Sequence, residues 1–294
     1  MIEYVALAIM SITLLILPIM LDGWERKLKA IVQSRVGPPL TQTLYDLLKL
    51  LGKEVKPFPG SSLALYTIIN TILLQATALV FLNYFIMIRA DFTIFFTGVA
   101  LFIVAQASNI ITPLLVPNPF SQVGGYREVI LSLINEFTMI LSVGVISYIV
   151  NNVSLSFFGI VGLSSALITL LITSYVSTGR PPFDIAEAEV ELASGVLVEF
   201  SGPLLATYVY SILMRRLLAK IIPISLIIGV LLNSNLLSSI VSILLLIIVW
   251  SLYALVSFTL GRSRIDIAPY SLLKLYIPLL TISITGLLIG AYNV

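Results

Sequence analysis

Two side chains are missing from this 294-residue chain altogether: it has no cysteine and no histidine. Without thiols there is no disulfide, no thiolate metal site and no thiol redox chemistry. Without imidazole the commonest metal ligand and the usual proton shuttle near neutral pH are absent. Charge is scarce too, at 10% of residues, where a soluble domain carries about 25%. The net charge of +2 gathers into no basic tract, so nothing points to nucleic acid. What fills the chain is hydrocarbon: 59% of residues are apolar. The composition is that of an all-α integral membrane protein.

A span needs roughly 20 mostly apolar residues. Tyr4–Leu21, Leu63–Ile88, Phe92–Val116, Val129–Val150, Leu155–Val176, Gly195–Met214, Leu236–Leu260 and Leu272–Ala291 qualify, about eight spans in one polytopic domain over residues 1–294. Glu3 stands two residues after Met1 with no positive n-region, so the first run is expected to be a retained span. Leu217–Asn235 is apolar but broken by Pro223, Asn233, Ser234 and Asn235, and reads as a half-span or an interfacial helix. Eight spans put both termini on one side. The opposite side then holds Arg26, Lys27, Lys29, Arg35, Lys49, Lys53, Lys56, Arg127, Arg180, Arg262 and Arg264, with Lys274 close by. The terminal side holds Arg89, Arg215, Arg216 and Lys220. Short cytoplasmic loops carry the excess of Lys and Arg. The first loop (24–62) and an acidic loop (178–195) are therefore expected in the cytoplasm, with the termini outside.

Within the first loop, Leu40, Leu44, Leu47, Leu48 and Leu51 recur at helical spacing, with Gln42, Asp46, Lys49 and Lys53 elsewhere on the wheel. That predicts an amphipathic helix in the membrane interface, bounded by Pro38–Pro39 and by Pro57 and Pro59. It serves either as a tethered surface helix or as a docking platform.

The acidic loop is the densest chemistry in the chain. "RPPFDIAEAEVELASGVLVEF" (180–200) holds Asp184, Glu187, Glu189, Glu191 and Glu199 against Arg180 alone. If 184–199 were one helix, about 100° per residue would gather Asp184, Glu187, Glu191 and Glu199 in one sector and leave Glu189 opposite. A solvated acidic loop is the plain alternative for Asp184 to Glu191. Glu199 sits in an apolar run, where a carboxylate is expected to face a partner, a cavity or the bundle interior. Clustered, partly desolvated carboxylates raise one another's pKa, which suits groups that take up and release protons.

A second polar stripe opens at Arg127 and Glu128 and continues through Ser132, Asn135 and Glu136 on one helical face. Glu136 lies two turns inside an apolar span. It is either functional or a neutral acid hydrogen-bonded to a neighbouring helix. The chain has no P-loop, dinucleotide fingerprint or nucleophile elbow, so no catalytic centre of its own is expected.

Three stretches carry a resemblance. "ERKLKAIVQSRVGPPLTQTLYDLLKLLGKE" (25–54) resembles the first cytoplasmic loop of the complex I membrane-arm subunit at the peripheral-arm junction. "RPPFDIAEAEVELASGVLVEFSG" (180–202) is similar to that family's long acidic signature, and "YREVILSLINEF" (126–137) to its arginine–glutamate helix. One branch of this family forms the quinone chamber of respiratory complex I. Another anchors the redox module of membrane-bound energy-converting hydrogenases and related ferredoxin-dependent complexes. Where the complex I form usually reads G-P-N, this chain has Gly37–Pro38–Pro39, closer to the hydrogenase branch.

The resemblance implies a proton path beginning at Asp184, Glu187, Glu189 and Glu191 beneath the peripheral arm and continuing through Glu128, Glu136 and Glu199. It implies a peripheral-arm interface at Glu25, Arg26, Lys27, Arg35, Gly37, Pro38, Asp46, Lys49, Arg127 and Arg180. It implies partners: iron–sulfur and hydrogenase-like subunits, antiporter-like or small membrane-arm subunits, and lipid. Iron–sulfur clusters, with a NiFe centre in the hydrogenase branch, would belong to those partners, and this chain would bind no cofactor or metal. The rivals are a stand-alone ion transporter, which would favour repeats and matched broken helices, and a passive membrane anchor.

Overall fold

The computed structural model describes residues 2–152, 157–185, 196–232 and 236–292. Among the described residues the chain forms helices and no strands: α1 (Ile2–Val32), α2 (Gln42–Leu51), α3 (Ser61–Met87), α4 (Phe92–Leu114), α5 (Pro119–Asn152), α6 (Phe157–Ser177), a single turn α7 (Val196–Glu199), α8 (Gly202–Leu231), α9 (Leu236–Thr259) and α10 (Ile267–Tyr292). In a bilayer core only closed backbone hydrogen bonding is tolerated, which is why apolar runs of this length fold as helices. Seven of them (α1, α3, α4, α5, α6, α9 and α10) are long and apolar enough to cross a membrane. The protein is a multi-pass membrane protein.

The eighth long helix corrects the sequence reading. Hydropathy ends a span at Met214 and starts a weaker segment at Leu217, yet α8 runs unbroken for 30 residues through Pro223. Arg215, Arg216 and Lys220 interrupt its hydropathy because their partners lie on other helices, which no window along one segment can see. Most of its second half is buried, including Leu217, Leu218, Ile221, Ile222 and Ile224, so α8 is the central helix of the bundle rather than a surface one. It packs on α1, α3, α6 and α9.

α1 is also longer than expected. It continues past Leu21 to Val32, so Glu25, Arg26 and Lys27 ride on a helix and not on a loop. After Ser34 turns the chain with φ 54°, the segment folds back along α1. The Leu40 carbonyl lies directly against Gly23, where any Cβ would collide with it. This return seats α2 on α1 and α8: Thr43 and Leu47 are buried, and Leu47 packs with Ile19, Ala206, Leu213 and Val209. Leu48 and Leu51 stay exposed, as befits an amphipathic helix at the lipid level.

On the far flank α6 and α10 cross through glycine. A Cβ on Gly286 would stand 2.6 Å from the Gly162 Cα, so the two backbones touch, the usual device for helix packing in lipid.

Candidate functional site

Three connections converge at one end of the bundle: 33–60, 178–185 and 260–266. Lys56 N–H donates to Ser201 Oγ at 2.8 Å, Ser263 N–H to the Pro182 carbonyl at 3.0 Å, and Arg262 to Asp184 at 3.0 Å. Below them, two clusters of charge lie on either side of α8.

The first is a polar cavity between α4, α5, α6, α8 and the 178–185 segment. Gln106, Glu128, Ser132, Asn135, Glu136, Ser177, Asp184 and Arg215 line it. Of the stripe inferred on α5, Glu128, Ser132, Asn135 and Glu136 form one wall of the cavity, and Arg127 does not line it. Arg215 pairs with Glu128, and both are largely withdrawn from solvent. Gly179, at φ +60°, leaves the room that the Arg215 guanidinium occupies. Asn135 is fixed from three directions: it donates to the Thr173 carbonyl at 3.1 Å and Ser177 Oγ at 2.8 Å, and accepts from Tyr276 at 2.7 Å. Glu136 opens onto the same cavity, and among the described residues no base pairs with it. Burial raises the Asp184 pKa above the ordinary aspartate value, with the Arg262 cation opposing. A cavity with one neutralised carboxylate, one unneutralised carboxylate and one raised acid can hold and release protons.

The second cluster joins α1, α8, α9 and Arg180. Arg180 pairs with Glu25, which also accepts the Trp250 indole N–H at 3.0 Å. Burial pulls the Arg180 pKa down to about 10, with Glu25 opposing that shift. Asp22 accepts from Thr43 at 2.8 Å and Arg26 at 3.0 Å, and lies 3.7 Å from Arg216. Arg26 also bonds Asp46 at 3.0 Å, which ties α2 to α1. Lys220 is wholly buried, with its amine 3.7 Å over the Trp250 ring.

Several expected residues take different places. Glu199 does not lie inside a span: it closes α7, ahead of the turn into α8, and accepts from Asn118 at 2.8 Å. It lines neither cluster. Asp184 and Ile185 are not helical, so no wheel begins at Asp184. Glu187, Glu189 and Glu191 lie outside the described residues. Of the interface set, Lys27, Arg35 and Lys49 are exposed, Gly37 lies back against Ala30 and Lys27 of α1, and Pro38 and Arg127 are half-buried.

The sequence reading missed Asp22, Arg215, Arg216, Lys220 and Trp250. It placed the three bases of α8 in a loop on the terminal side. They lie instead beside Glu128, Asp22 and the Thr178 carbonyl, at the end opposite the termini. Three cations within a continuous apolar register were the available signal.

A multi-pass helical bundle with buried arginine–carboxylate pairs beneath one polar end belongs to the class of polytopic membrane subunits. A family model described as NADH dehydrogenase matches residues 5–288, and the chain belongs to that family. It is 26% identical to formate hydrogenlyase subunit 4 of Escherichia coli (strain K12) over 276 residues, 85% of this chain and 88% of that one. It is 31% identical to hydrogenase-4 component C of the same organism over 212 residues, 67% of this chain and 66% of that one. Its fold matches a chain of a membrane-bound sulfane sulfur reductase, an archaeal respiratory membrane complex, with a TM-score of 0.76 at 20% identity, covering 97% of this chain and all of that one. The protein is a membrane subunit of a complex I-like energy-converting complex.

Proposed function

We propose that this chain couples electron transfer in a peripheral redox module to ion translocation in the membrane, in a hydrogenase-type or ferredoxin-dependent complex. The peripheral module docks on the end formed by 33–60, 178–185 and 260–266, and that end is cytoplasmic. Iron–sulfur and hydrogenase-like subunits supply the redox centres. Antiporter-like or small membrane subunits receive the proton signal. The single observation that supports the path is the cavity that gathers Glu128, Glu136, Asp184 and Arg215 beneath the docking end.

In this reading a change in the redox module shifts the protonation of Asp184 and the acidic segment that follows it. Asp184 faces the same cavity as Glu136, so a proton or charge gained at one alters the cost of charge at the other. Arg215 pairs with Glu128 and leaves Glu136 as the carboxylate of α5 that responds. Glu136→Gln keeps shape and hydrogen bonding but cannot release a proton. The complex should assemble with its electron-transfer centres intact, while ions moved per electron fall to a small fraction of wild type. Wild-type stoichiometry in that variant would leave only the passive-anchor reading. Orientation is checked separately: a cysteine placed at Lys53 of this cysteine-free chain should label only from the cytoplasmic face.

One feature favours a second reading, a quinone-chamber subunit. Ile19, Leu44, Leu47, Leu48, Leu51, Ala206, Thr207 and Tyr210 enclose a groove between α1, α2 and α8 with an almost wholly apolar lining, suited to an isoprenoid tail. Photo-crosslinking with a quinone analogue that marks α2 or α8 would favour it.

A further inference from the structure

The proton-path reading uses the cavity on one side of α8 and leaves Lys220, on the other cluster, unexplained. Lys220 is fully buried. Its amine donates to the Arg216 carbonyl one turn back at 2.9 Å. It lies 3.7 Å from the Trp250 ring centroid and 5.7 Å from that of Tyr253. Among the described residues no carboxylate bonds it. The nearest acid chemistry lies across the same indole: Trp250 N–H donates to Glu25, and Glu25 is already paired with Arg180. Arg180 itself sits 5.3 Å over the Trp250 ring. Arg180 and Lys220 therefore share one indole, and Arg180 holds the one carboxylate beside it.

Arg180 is incompletely held in this arrangement. It is buried, yet among the described residues its Nε and Nη1 have no hydrogen-bond partner. An orphaned buried donor is costly, and a purely structural ion pair would satisfy it. Arg180 also belongs to the 178–185 segment that forms part of the docking end. Its cavity, lined by Asp22, Glu25, Arg26, Lys29 and Arg216 among others, is open to solvent.

We propose that Lys220 is a second proton-loading group, controlled by Arg180: when the 178–185 segment withdraws Arg180 from Glu25, Lys220 takes a proton from the solvent of that cavity and becomes the cation that Glu25 balances. The physical basis is that a buried site with one available carboxylate carries one cation at far lower cost than two. The charged groups facing this exchange are Asp22 and Glu25 from α1, Arg216 from α8 and Arg180 from the 178–185 segment. Tyr253 on α9 is the other titratable neighbour. The inference rests on the coupling role proposed above, since redox events in the docked module must move the segment.

The test is proton uptake by the purified native complex on reduction with dithionite, followed with a pH-indicator dye in weakly buffered detergent. Lys220→Met and Lys220→Arg should each take up one proton fewer per complex than wild type. Lys220→Arg fixes a permanent cation over the ring and cannot load a proton, so it decides the question if the methionine variant fails to assemble. Arg180→Gln should show the same loss, because Lys220 is then already protonated before reduction. Assembled Lys220→Arg or Arg180→Gln complexes with undiminished uptake would overturn the proposal. A loss in Glu136→Gln with none in Lys220→Arg removes this inference and keeps the cavity path. No loss in either removes both.

Discussion

Arg215 and Arg216 are adjacent in sequence and serve carboxylates on different helices. Arg215 pairs with Glu128 on α5, whereas Arg216 stands 3.7 Å from Asp22 on α1. α8 thus divides the buried charge of the bundle into two compartments, with one of these two arginines facing each. In this way a helix too polar to score as a simple span becomes the organising centre of the fold.

The Arg215–Glu128 pair should be worth most when it is broken one-sidedly. Arg215→Met leaves an uncompensated buried carboxylate, which costs roughly 3–5 kcal/mol. Adding Glu128→Gln to Arg215→Met should recover most of that loss. Thermal unfolding of the detergent-purified complex reads the difference. Equal losses in the single and the double variant would show that the arginine acts by packing alone.

Asp184 gives a pH dependence with a definite sign. Its folded pKa is raised by burial above the ordinary value, so the folded state binds protons more readily than the unfolded one. Its stabilising contribution is then fully present below the unfolded pKa of about 4. That contribution is lost as pH rises through the folded value, with Arg262, at 3.0 Å, opposing the loss. Asp184→Asn should flatten this part of the stability profile in the weakly acidic range. Arg262→Gln should steepen it and displace it to higher pH. Thermal midpoints measured across that range check both slopes.

The α6–α10 crossing predicts a paired control. Gly286→Ala places a Cβ 2.6 Å from Gly162 Cα and 2.8 Å from the Phe158 carbonyl oxygen. It should destabilise by about 1–3 kcal/mol, as overpacking does. Gly144→Ala, with nothing within 4 Å of its added methyl, should be neutral or slightly stabilising. The same unfolding assay reads both.

Legibility from the sequence followed the range of the interactions. Glu128, Ser132, Asn135 and Glu136 were recognisable as one face because helical spacing is local, and they do line one cavity. The amphipathic α2 was recognisable for the same reason. Asp22 and Thr43 were not, because their bond joins residues 21 positions apart in the chain. Arg215 and Lys220 were misplaced because hydropathy prices a cation as though it faced lipid, whereas these face Glu128 and Trp250. Glu199 was misplaced in the opposite sense: its apolar neighbours suggested a span, but the helical turn it ends stops short of α8.

That displacement of Glu199 separates two carboxylates that sequence reasoning treated alike. Glu136 faces the cavity of Glu128 and Arg215. Glu199 closes a single turn and accepts one hydrogen bond, from Asn118 at 2.8 Å, at the entrance to α5. A glutamine at 199 still offers an oxygen to Asn118, so Glu199→Gln should assemble and keep most of its ion translocation per electron. Glu136→Gln should lose most of it, because no other carboxylate on α5 is free of a base. Asn118→Ala should resemble Glu199→Gln in coupling while loosening the α7–α5 junction, seen as faster proteolysis between 178 and 201. Ion-to-electron ratios measured side by side in proteoliposomes decide the matter. An equal loss in Glu199→Gln and Glu136→Gln would mean that protons enter through the α7 turn, and the path would have to be redrawn from Asn118 inward.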